Sequence, residues 1–113
     1  MPFPTTHYAI ARWRLAQRLA AEGPRLRGFR GRLLERRRVQ PRLDRGWEWL
    51  EANCRDLTTP GARDELEREL VAHLEATERE YGFVPLWVFA IFLKVLASIL
   101  IDLWLTKASE EER

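Results

Sequence analysis

Histidine and cysteine are scarce in this 113-residue chain, and each shortage narrows the chemistry open to it. The two histidines, His7 and His73, stand far apart, and no Cys/His/Asp group has the spacing of a metal site. His73-Leu74-Glu75 lacks the second histidine of a zinc-protease helix. Cys54 is the only cysteine, which excludes an intrachain disulfide and leaves the redox compartment open. Gly28-Phe29-Arg30-Gly31 has neither a strand signal before it nor Lys-Ser/Thr after it, so it is no phosphate loop. The carboxylates collect on a helix face that reads as solvated and not as an acid/base pair. No catalytic residue, cofactor or metal is therefore expected: the chain reads as a non-enzyme. Internal repeats and strand signals are missing too. A secretory leader is not expected either, because Arg12, Arg14 and Arg18 interrupt any apolar core in residues 1–20.

One long hydrophobic run is present. Residues 86–105, LWVFAIFLKVLASILIDLWL, include thirteen Leu, Ile, Val or Phe. Twenty residues make about 30 Å of helix, the thickness of a bilayer's hydrocarbon core. Trp87 and Trp104 near its two ends resemble interfacial belts, and Lys107 just beyond suits a headgroup layer. Lys94 and Asp102 oppose insertion. A central lysine costs about 2.5–3.5 kcal/mol, less than the apolar residues return. Lys94, Ser98 and Asp102 are spaced i, i+4, i+8 and share one helix face, a stripe suited to docking on a neighbouring transmembrane helix. The expectation is a transmembrane helix; the competing one is a buried helix of a soluble bundle.

Charge is divided unevenly along the chain. Residues 1–45 hold twelve arginines against Glu22, Glu35 and Asp44, a balance of +9. Residues 46–82 hold four arginines against ten acids, a balance of −6. A helix capped by Thr5 or Thr6 is expected to run to about Glu22, ended by Gly23-Pro24. Its apolar residues spread around the axis among arginines, as on a lipid-facing or partner-embedded helix. Then follows a basic arm with Arg25, Arg27, Phe29, Arg30, Arg32, Arg36, Arg37 and Arg38. These can grip phosphates, acidic protein surfaces or anionic lipid headgroups, with protein and lipid ahead of nucleic acid.

The soluble part carries two seams. Leu43, Trp47, Leu50, Cys54 and Leu57 recur at 4, 3, 4, 3 spacing, with Trp49 off the seam. Leu66, Leu70 and Leu74, continued by Thr77 and Tyr81, repeat every four or three residues in the next helix. The two predict an αα-hairpin that buries its seams against each other, with Cys54 a small buried thiol.

The fold expected is all-α: residues 1–42 an Arg-rich N-terminal arm with one helix, 43–82 a helical hairpin, 83–106 a transmembrane helix, 107–113 a short polar tail. The function expected is that of a single-pass, tail-anchored accessory subunit. It would sit in a hetero-complex of membrane proteins with its head on the cytoplasmic side. The alternatives are a membrane-tethered nucleic-acid binder, virion proteins included, and a soluble helical oligomerisation module.

Overall fold

A computed structural model describes residues 3–53, 55–80 and 82–111, with side chains up to Lys107. Cys54 and Tyr81 lie outside the described residues. The protein is all-helical: α1 (Thr5–Ala21), a 3₁₀ turn (Pro24–Leu26), α2 (Arg30–Leu33), α3 (Arg36–Asn53), α4 (Ala62–Ala76) and α5 (Leu86–Glu111). No strand occurs among the described residues. The last helix is apolar enough to cross a membrane, with a mean hydropathy of 2.3 over an 18-residue window within Leu86–Lys107.

That helix is the axis on which the others pack. Val88, Phe92, Leu93, Val95, Leu96, Ala97, Ile99, Leu100, Ile101 and Leu103 are all buried. α1, α3 and α4 each lie against α5. α4 runs antiparallel to it, since Arg63 meets Asp102 while Glu75 and Ala90 share a cleft at the other end. α3 runs parallel to it, with Arg42 over Phe92 and Trp47 against Trp104. The seam residues Leu43, Trp47, Leu50, Leu66, Leu70 and Leu74 are buried, as are Ala11, Leu15 and Leu19 of α1. α3 and α4 therefore pack on α5 as well as on each other. Full burial of such a leucine is worth roughly 1.5–3 kcal/mol, so the shared core is the dominant favourable term.

Several boundaries differ from expectation. Pro4, not a threonine, stands before α1 and makes no side-chain cap bond. α3 starts at Arg36 and not near Leu43, passing through Pro41. Proline lacks the N–H that would bond Arg37 O, and in the same turn Arg42 Nη1 donates to Arg38 O at 2.6 Å. α3 ends at Asn53, whose Nδ2 donates to Trp49 O at 2.9 Å. Leu57, expected on the seam, lies in the following loop, half-buried against the core. α4 stops at Ala76, where the Thr77 hydroxyl donates back to His73 O at 2.9 Å. Phe3, ahead of α1, is also drawn into the core. Phe3 N–H donates to Asp44 Oδ1 at 2.9 Å and its ring is buried edge-on against Trp47.

Candidate interaction surfaces

The segment after α4 is held by a buried ion pair that the spacing of apolar residues does not signal. Arg42 on α3 donates from Nε to Glu78 Oε2 at 2.9 Å and from Nη2 to Glu78 Oε1 at 2.7 Å. Both side chains are 3% exposed. Glu78 Oε1 also accepts the backbone N–H of Arg79 and Glu80, so one carboxylate organises the turn that carries it. Arg45 adds a longer contact, 3.7 Å to Glu78 Oε2, and burial lowers its pKa while Glu78 opposes the shift. Phe83, Phe89 and Phe92 surround the Arg42 guanidinium at 5.3–5.6 Å. Arg38, Arg42 and Arg45 are spaced i, i+4, i+7, and this arginine stripe beside Val39 and Leu43 is the sequence signal for the pair.

The basic arm is not a free arm. Its first part forms the 3₁₀ turn and α2, and Leu26 and Leu33 enter the core. Arg25, Arg27, Arg32, Arg36 and Arg37 are exposed, and Arg30 is half-buried. Arg38, expected among the surface arginines, is buried: it bonds Glu80 and lies 3.9 Å from the centre of the Phe83 ring. Arg36 stacks over Tyr8 at 4.6 Å. Arg37 pairs with Glu35 at 2.6 Å, and that bond holds the half-buried Glu35 carboxyl below its usual pKa.

The polar stripe of α5 lies on its α4 side. Asp102 accepts from Arg63 Nη2 at 2.7 Å, with both side chains partly exposed. Ser98 is buried, at 8% exposure. Lys94 is exposed and shares a cleft of about 580 Å³ with Asp64, Glu67, Arg68 and Glu75 of α4. The acidic face of α4 thus lies beside the lysine that was expected to need an outside partner.

The two tryptophans near the ends of α5 have different surroundings. Trp104 packs 5.1 Å from Trp47, with Lys107 Nζ within 5.5 Å of both rings. Trp87 at the other end is 45% exposed, edge-on to Phe29 at 6.0 Å with Arg25 at 5.6 Å. Trp49, off the seam, stacks on His73 at 5.9 Å. No group of three or more His, Cys, Asp or Glu able to hold a metal ion occurs among the described residues. The arrangement defines an all-helical protein with an apolar core helix and two aromatic–cation ends. No protein-family model matches the chain, and no curated protein or solved structure matches it.

Proposed function

We propose that this chain is a non-enzymatic helical docking module, folded around α5, which works by presenting its basic and aromatic end to a larger assembly. The observation that carries this reading is the enclosure of α5 by helices whose outer faces are charged. Arg12 and Arg18 of α1, Glu48 and Glu51 of α3, and Asp64, Glu65 and Glu69 of α4 are all exposed. Placing the bundle as folded in hydrocarbon would bury these charges, at a cost of several kcal/mol each. Inserting α5 alone would instead strip Leu15, Leu43, Trp47, Leu66 and Leu70 of their cover. Enclosure and insertion therefore exclude each other, and 61% of the apolar window is buried within the bundle.

A second reading is favoured by a separate observation, the 22-residue length of Leu86–Lys107 and the mean hydropathy of 2.3 in an 18-residue window within it. There the chain is a single-pass, tail-anchored accessory subunit with a cytoplasmic head. Lys94, Ser98 and Asp102 face a neighbouring transmembrane helix, and Trp87, Trp104 and Lys107 sit at the interfaces. Fractionation of the native source with a carbonate wash separates the two. Release into the supernatant supports the docking module, and the assembly is then identified by co-purification. Retention in the pellet supports the anchored subunit, for which Lys94→Leu weakens partner recovery in mild detergent while leaving membrane retention unchanged.

A further inference from the structure

The end of the bundle around Trp87 leaves apolar surface uncovered. Leu86 is 78% exposed and Trp87 45%, although Val88 directly after them is fully buried. Beside Leu86 opens a cleft of about 610 Å³ walled by Phe83, Val84, Phe89 and Ala90, with Glu75 and Glu80 also on its wall. Glu80 is matched by Arg38.

This apolar point stands among arginines. Arg25 and Phe29 flank the Trp87 indole, and Arg32 Nη1 reaches Phe83 O at 3.5 Å. The 3₁₀ turn, α2 and the loop before α5 thus form one continuous end. Residues 22–38 contain seven arginines against Glu22 and Glu35, a balance of +5. Five of the seven are exposed.

We propose that this end is a peripheral binding site for an anionic lipid surface, with Leu86 entering the acyl layer, Trp87 at headgroup level and Arg25, Arg27 and Arg32 on lipid phosphates. The proposal rests on the reading of α5 as the core of the bundle. Peripheral attachment takes two signals together, an apolar insertion and a basic patch, and both meet here. Indole prefers the headgroup layer, where its apolar body and its N–H are both accommodated. The charge and the aromatic rings suit single-stranded nucleic acid as well, but an exposed leucine beside an apolar cleft offers nothing to a phosphate. Acyl chains fit both.

The test uses the purified full-length chain, detergent-free, with vesicles of phosphatidylcholine alone or mixed with phosphatidylserine. Sedimentation with the mixed vesicles only, reversed by high salt, is the expected result. Removing one arginine, as in Arg25→Gln or Arg27→Gln, should weaken binding about fivefold. Leu86→Ser should weaken it at low salt without altering the helical circular dichroism, because that side chain is exposed. Equal binding of these variants and the parent chain would overturn the site. A folded chain that stays in the supernatant with both vesicle types overturns the site and leaves the bundle standing. A chain that enters both vesicle types and resists carbonate overturns the bundle reading and this site with it.

Discussion

Arg42 illustrates how a charge becomes part of a core. Its guanidinium is planar and always charged, and here it fits one carboxylate with two parallel hydrogen bonds. Removing Glu78 leaves the buried Arg42 without its carboxylate, and removing Arg42 leaves Glu78 only the longer Arg45 contact and two backbone N–H groups; breaking a buried pair in this way costs about 3–5 kcal/mol. Glu78→Gln or Arg42→Met is therefore expected to lower urea stability by about that amount. Replacing both by apolar residues should recover part of the loss, because the buried pair is gone while Arg45 and the Arg79 and Glu80 N–H groups still lose their acceptor. Losses below 1 kcal/mol for each single change would contradict a desolvated pair. His73 offers a second test at this scale. Burial first, and Arg45 second, lower its pKa below the ordinary 6.5. As pH falls, the unfolded chain takes up this proton before the folded one does. The stability contribution is complete well above pH 6.5 and declines as pH drops through it toward the folded value. Urea midpoints on either side of that pH should diverge in the parent chain, and His73→Asn should reduce the difference.

α3 and α5 cross at Gly46, and that crossing sets how closely the elements approach. A Cβ there would overlap Leu100 Cδ1 and come within 3.6 Å of Leu70 Cδ1. Gly46→Ala gains about 1 kcal/mol of helix preference but overpacks the core by about 1–3 kcal/mol. The expected outcome is a net loss of stability, and a smaller loss in a Leu100→Ala background where the space exists. Equal losses in both backgrounds would argue against this crossing. The seams of α3 and α4 were readable from sequence because burial on one helix face imposes its own period on Leu43, Trp47 and Leu50, and on Leu66, Leu70 and Leu74. The surroundings of α5 were not, since a helix apolar on every side suits lipid and protein alike. Arg38 read as a surface arginine because its partner, Glu80, lies 42 residues away, and the Arg42–Glu78 pair spans 36 residues in the same way. Pro41 lies inside α3, whose first turns accommodate it.

At the scale of the whole molecule, the charge asymmetry becomes internal contact. The basic N-terminal part meets the acidic part through Arg42–Glu78, Arg45–Glu78 and Arg38–Glu80, which consume arginines otherwise counted as surface charge. Among the arginines that stay exposed, Arg25 stands over Trp87 and Arg32 reaches Phe83 O, at the end that carries Leu86. The whole measures 42 × 27 × 27 Å, with a radius of gyration of 13.9 Å. The fold depends on α5 being enclosed by its own chain. Analytical ultracentrifugation of the full-length protein in detergent-free buffer, combined with urea unfolding, tests that dependence directly. Enclosure predicts a monodisperse 13.4 kDa species, or a discrete small oligomer of it, that unfolds in one cooperative transition. A chain that aggregates without detergent, and becomes monodisperse only within a micelle, would contradict it.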